Sequence, residues 1–355
     1  MLPFTMRTIE TLWTKNIEKY YFALGFVLLI YLILRAVLIP MTIDEVGTTL
    51  NYVPLSVWDI MRYTDAVPNN HILNTLLIKC CTQIFGVHSF TVRLPNILAF
   101  ILCYYMLIKW LRALRVPPLF VFCGIAIVFG DHYFFEFFAL ARGYALSVSL
   151  MITAIYYSWR YARAHRNRHI WKSYLFAAFA VYANFTILNM YAAFVPLSIL
   201  AIILLQKNHV RRMLQHIGIV LFVSALLALL SFGPISKMVA TDQFRFWDAH
   251  GFIPDTLMPV LRVSASGLLN KKVYTPFWSE IYVALVCISG IFCAPGDNCT
   301  REKTQGILFL FFFCSWVYLE SVSILFCRHP FSMLRTRPCF SSHFFSLFSF
   351  FLCWR

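Results

Sequence analysis

Acidic residues are scarce in this chain. Its 355 residues include only 15 Asp and Glu, against 30 Lys and Arg, and charged residues make up 13% of the total while hydrophobic ones make up 60%. A soluble domain of this length cannot hide that much apolar surface behind so few charges. A water-soluble globular class is therefore excluded, and the solvent is lipid. No Gly-rich phosphate loop, internal repeat or low-complexity linker occurs. No small-residue cleavage site follows the first apolar window. The polar stretch Thr5 to Lys19 and that window are thus a retained signal anchor, not a cleaved signal peptide. The 11 Cys are odd in number and sit mostly in apolar runs, as Cys103, Cys123 and Cys287 do. None pairs with His at zinc-ligand spacing, so they read as small buried hydrophobes and no metal is expected. No aromatic–basic RNA motif accompanies the basic surplus, so no nucleic-acid partner is expected.

What the chain does have is long apolar windows. They fall at 21–39, 92–110, 117–134, 142–159, 172–188, 190–206, 217–234, 280–295 and 306–327, with a tight hairpin near Asn189. Such windows approach or exceed the roughly 18 residues a helix needs to cross a bilayer. The fold class is all-α: a polytopic membrane protein of about nine to ten transmembrane helices. If the spans alternate, Lys109, Arg112 and Arg115, then Arg160 to Lys172, then Lys207, Arg211 and Arg212, fall on one side. Basic short loops mark the cytoplasm, and the N-terminus lies there too. Asp44, Glu45, Asp59, Asp65, Asp131, Glu136 and the acids of 242–280 fall on the other side. That outer side also carries the two long connections, 40–91 and 235–279. Loops of that length are uncommon without a function. Within the first, Val57 to Arg62 and Ile72 to Phe85 have helical apolar spacing too short to span, as amphipathic helices on the membrane surface do. Residues 1–327 make one transmembrane domain. The tail 328–355 is atypical: no acid follows Glu320, no Gly follows Gly306, and Arg328, Arg335 and Arg337 break the loop pattern. A replaced end, as after a reading-frame slip, accounts for it, and a tenth span near 339–354 is the alternative.

The stretch "MTIDEVGT", Met41 to Thr48, places two carboxylates where the first span ends. Thr42 and Glu45 have capping-box spacing, so Glu45 is accounted for by a helix start. Asp44 is then left at the head of that helix. The same face offers Arg62, His71, Lys79, Arg93, His132 and Arg142, of which Arg93 reads first as an anchor at the start of the second span. A carboxylate base beside a cationic clamp suits group transfer from a lipid phosphate: the carboxylate takes the acceptor's proton, and the cations hold the leaving phosphate. His132 and Glu136, four apart, also have the spacing of a simple helical pair.

Three segments resemble the C-type (GT-C) glycosyltransferase superfamily, which includes the protein O-mannosyltransferases and the lipid A aminoarabinose transferase. They are "IDEVGT" after the first span, "NNHILNTLLIKCCTQIFGVHSFTVRLPNILAF" from Asn69 to Phe100, and "FFALARGYALSVSL" from Phe137 to Leu150. The likeness covers roughly 20–150, and Asn70-His71-Ile72 departs from the usual His-Pro or Lys-Pro. The resemblance implies Asp44 as base or acceptor-orienting group, with Glu45 in support. It puts His71 at a phosphate contact, Arg142 near the donor phosphate, and Asp131 with His132 lining the same cavity. It implies a polyprenyl-phosphate sugar donor, inversion, and no cofactor or metal. The acceptor is then a hydroxyl on a lipid, glycan or protein, and the place is a bacterial inner membrane or the endoplasmic reticulum. The rival readings are a multi-span transporter and an inactive, truncated relative. The near-absence of charge at mid-depth of the spans argues against the first.

Overall fold

The computed structural model describes residues 3–64, 69–113, 118–130 and 132–241. The spans expected at 280–295 and 306–327, most of the 235–279 connection, and the tail lie outside the described residues. The described residues are helical with no strand among them. Helix α1 covers Pro3–Leu38, α2 Ile43–Gly47, α3 Val57–Arg62 and α4 Ile72–Phe85. Then come α5 at Ser89–Ala113, α6 at Pro118–Gly130, α7 at His132–Glu136 and α8 at Gly143–Ala164. Helix α9 covers Asn167–Ala183, α10 Leu188–Gln206 and α11 Val210–Ala240. A π-helical turn, Thr48–Tyr52, continues α2.

Four of the described helices are long and apolar enough to cross a membrane: Lys19–Leu38 within α1, Ser89–Ala113, Phe185–Gln206 and Val210–Ala240. The expected span at 117–134 is a 13-residue helix, α6, followed by the short α7. The span expected at 142–159 is α8, whose residues from Gly143 to Tyr156 are all buried. A helix surrounded by protein has no need of a lipid-facing surface. It carries Ser147, Ser149 and Thr153 in place of further aliphatics. The hairpin expected near Asn189 lies at Asn184 instead. Asn184 takes an extended backbone, and its side-chain oxygen accepts from the Thr186 N–H at 3.0 Å. That local turn stops α9 and starts the 3-10 turn Phe185–Ile187.

Of the described residues, those up to Trp110 and from Glu136 to Thr241 form one compact unit; those between 111 and 135 belong to a second. In the first unit small residues let helices approach closely. Ser149 donates to the Ala99 carbonyl of α5 at 2.9 Å, and Ser173 of α9 donates to the Ala154 carbonyl of α8 at 2.8 Å. Lipid-like exposure is plain on α1, where Phe26, Leu34 and Leu38 are exposed while Leu32 and Ala36 are buried. Helix α4 buries Asn74, Thr75 and Thr82 alongside Ile72 and Ile78, and Ile84 and Phe85 face out.

Contacts fix which ends meet. Arg93, near the start of α5, reaches the Ala36 and Ile39 carbonyls at the end of α1. Lys237, in the last turn of α11, donates to the Arg62 and Tyr63 carbonyls at the end of α3. Gly143, opening α8, lies against Ala183, which closes α9. One end of the unit therefore gathers the carboxylates Asp44 and Glu45 with the starts of α5, α8 and α10 and the ends of α1, α9 and α11.

A Cβ at Gly143 would collide with the Ala183 carbonyl oxygen and sit 2.9 Å from His71 Cβ. Gly143→Ala is expected to destabilise by about 1–3 kcal/mol through overpacking. Gly218→Ala in α11, where a Cβ meets nothing within 4 Å, is expected to be neutral or mildly stabilising. Thermal unfolding of the detergent-solubilised chain compares the two.

Candidate functional site

Two adjacent carboxylates have opposite surroundings. The capping box forms: Thr42 N–H donates to Glu45 Oε2 at 2.8 Å, and Glu45 N–H donates to Thr42 Oγ1 at 3.4 Å. Glu45 is fully buried. Arg93 Nε donates to its Oε1 at 2.8 Å and Arg93 Nη2 to its Oε2 at 2.7 Å. The Ala141 N–H adds a bond to Oε1 at 2.7 Å. A carboxylate offers about four lone-pair positions, and here all are filled. Arg93, also buried, places its other donors on the Ala36, Ile39 and Pro40 carbonyls at 3.1, 2.8 and 2.9 Å. These carbonyls lie at and just beyond the end of α1, where a helix leaves acceptors unpaired. Arg93, at the start of α5, is thus fully engaged inside the protein, and Glu45 has no lone-pair position left open.

Asp44 is different. Its side chain is 44% exposed, and Arg142 Nη1 donates to its Oδ2 at 2.5 Å. Arg142 precedes α8 in extended conformation, with its guanidinium 5.2 Å over the Tyr144 ring. His71 packs edge-on against the same ring, at 5.1 Å between centroids. Asn69 Nδ2 donates to the Asp44 carbonyl at 3.0 Å. Within this neighbourhood several buried polar atoms have no hydrogen-bond partner among the described residues: Asn69 Oδ1, His71 Nε2, Arg142 Nε and Asn184 Nδ2. Such atoms are uncommon and call for an explanation. A third arginine–carboxylate pair, Arg35 with Glu136, lies at the same end, and Tyr31 Oη donates to Glu136 Oε1 at 3.1 Å. Glu136 thus meets Arg35 and Tyr31; the side chain of His132, which has helical-pair spacing to Glu136, lies outside the described residues.

The remaining expected residues fall out as follows. His71 sits beside Arg142. Lys79 donates to the Val53 carbonyl at 2.8 Å, bracing the turn after the π-helix. Arg62 lies 4.5 Å over the Trp58 ring. No contact brings either to Asp44. Asp131 lies outside the described residues, and of His132 only the backbone at the start of α7 is described. Sequence reasoning missed Asn69, Tyr144 and Asn184. The three quoted motifs meet here: Asp44 and Glu45 come from the first, His71 and Arg93 from the second, Ala141 and Arg142 from the third. Comparison with protein-family models, curated proteins and solved structures returns no match.

Electrostatics separate the groups further. Burial alone would raise the Glu45 carboxyl. The hydrogen bonds from Arg93, Thr42 and Ala141 and the Arg93 charge outweigh it and hold Glu45 below its ordinary value. Burial, then the Arg142 charge, push His71 down to about 3, against an ordinary value of about 6.5. His71 is therefore neutral at pH 7, a polar contact and not a cation.

Both depressed values have the same sign. Their stabilisation is complete at neutral pH and is lost on acidification, for His71 between about 6.5 and about 3. The unfolding midpoint is expected to fall from pH 7 to pH 4, and His71→Gln to flatten that slope. An unchanged slope would contradict the buried neutral imidazole. Breaking the inner pair by Arg93→Ala is expected to destabilise by about 3–5 kcal/mol, because Glu45 is left charged and buried. In the double variant Glu45→Gln/Arg93→Met the loss should be smaller, as chemical unfolding would measure.

Proposed function

We propose that the chain is a GT-C-type membrane glycosyltransferase that moves a sugar from a polyprenyl-phosphate donor to a hydroxyl acceptor. The observation that carries this reading is the Asp44–Arg142 pair. A half-exposed carboxylate faces an arginine whose Nε is buried and unpartnered, beside a neutral histidine whose Nε2 is likewise unpartnered. Convergence of the three GT-C-like motifs on this one place supports it.

In the reaction, the acceptor oxygen attacks the anomeric carbon and the bond from that carbon to the phosphate oxygen breaks. Asp44 takes the acceptor's proton. The polyprenyl phosphate leaves with one more negative charge, and Arg142 stabilises that charge. Arrival of the donor phosphate competes with Asp44 for Arg142 and releases the carboxylate to act as base. Glu45 and Arg93 hold both groups in register. The polytopic GT-C arrangement places Asp44 on the extracytoplasmic rim of a cell membrane, with the N-terminus in the cytoplasm and the donor arriving sideways from the bilayer. The four apolar helices and the basic residues at the other end of α8 support that orientation.

Membranes carrying Asp44→Asn, given radiolabelled polyprenyl-phosphate sugar, are expected to transfer about 10²–10⁴-fold more slowly while the chain folds normally. Transfer at the unmutated rate would reject Asp44 as base.

A further inference from the structure

No acid occurs in the sequence between Glu136 and Asp242. Within that stretch, the end of the unit away from Asp44 is built from two basic turns. One joins α8 to α9 and exposes Arg166, Arg168 and Lys172; the other joins α10 to α11 and exposes Lys207, Arg211 and Arg212. A buried histidine links them. His216 of α11 has Nδ1 2.6 Å from the Tyr161 hydroxyl of α8 and Nε2 2.7 Å from Asn167 Oδ1 of α9. The cations are therefore presented by one tied cluster of helix ends.

Beneath them lies an aromatic tier. Arg163 sits 5.2 Å over Trp159, Lys172 sits 5.2 Å over Tyr157, and Lys109 of α5 sits 5.1 Å from the Tyr105 ring and 5.3 Å from that of Tyr156. Such cation–aromatic layers suit the headgroup level of a bilayer. The same helices then expose apolar side chains within one turn of the cations. Trp171 is 42% and Leu175 45% exposed beside Lys172, and Leu214 is 60% exposed beside Arg211.

We propose that these two turns form a binding surface for anionic phospholipid, with the headgroup phosphate on the arginines and the acyl chains along α9 and α11. A partner that covers both the cations and the apolar faces immediately next to them must be an anion with a hydrophobic tail. A nucleic acid or an acidic protein would match only the cap. This inference concerns the opposite end of α8 from Asp44 and does not depend on the transfer reaction.

The test uses the full chain purified in neutral detergent. Its unfolding midpoint is followed while phosphatidylglycerol or phosphatidylcholine of identical acyl chains is titrated in. Phosphatidylglycerol is expected to raise the midpoint in a saturable way and phosphatidylcholine not to. Losing one exposed arginine should weaken binding roughly fivefold, and the triple change R166Q/R168Q/R211Q roughly a hundredfold. K237Q, a cation lost at the other end, should retain the phosphatidylglycerol response. Should the triple variant fold poorly, the three single variants carry the same comparison. Equal responses to the two lipids, or an undiminished response in the arginine variants, would overturn the proposal. So would an equal shift from glycerol 3-phosphate alone, or displacement of the lipid by a short RNA.

Discussion

Every N–H donor of Arg93 points at a protein acceptor, and every lone-pair position of Glu45 is met by a protein donor. That buried pair is the constraint on which the rest of this end depends. It caps α1, fixes the start of α2, holds the head of α5 and reaches the backbone just before α8. Taking two charges out of water is unfavourable by several kcal/mol per ion after relaxation, and attraction offsets it only when the geometry is complete. Here it is complete on both sides. The consequence is positional. Asp44 is next to Glu45 in sequence and Arg142 is next to Ala141, so the knot that binds Glu45 to Ala141 also sets Asp44 against Arg142.

Helix α8 separates two kinds of chemistry. Its 22 residues run about 33 Å at about 1.5 Å per residue, close to the roughly 30 Å of a bilayer's hydrocarbon core. At its start lie carboxylates matched to arginines. At its far end lie basic residues in a stretch of chain that holds no acid. Between them α8 is walled by protein, with serine and threonine hydroxyls returned to backbone carbonyls. A rigid inner rod of this kind keeps the Asp44 neighbourhood at fixed height against the outer helices, whose apolar faces are left to the solvent that surrounds them.

Local features were legible in the sequence and distant ones were not. The bounds of α3 and α4 follow from apolar spacing, and the Thr42–Glu45 capping box follows from a three-residue interval. The pairing of Glu45 with Arg93 spans 48 residues and that of Asp44 with Arg142 spans 98. Composition and periodicity carry no information on which arginine meets which acid. Hence sequence places Arg93 as an anchor at the start of the second span but does not pair it with Glu45. The Asn189 hairpin failed for a related reason. Hydropathy runs unbroken through 172–206, and only the ability of the Asn184 side chain to satisfy its own turn marks the break. The extent of α8 burial was also invisible, because a helix inside a membrane bundle and one facing lipid are both apolar.

The contrast between Asp44 and Glu45 explains why two carboxylates stand side by side where a span ends. A single residue could not meet both demands. An ion pair with every hydrogen bond filled and no exposure is a fixture, and opening it leaves a bare charge in a dry interior. A pair with one partner 44% exposed and the other 13% exposed is partly screened by water, so its attraction is weak and exchange is easy. Arg142 keeps a buried Nε without a partner, so an anion that reaches it gains a donor and takes nothing from the fold. The inner carboxylate gives this end its geometry, and in the proposed reaction the outer one is the group that exchanges.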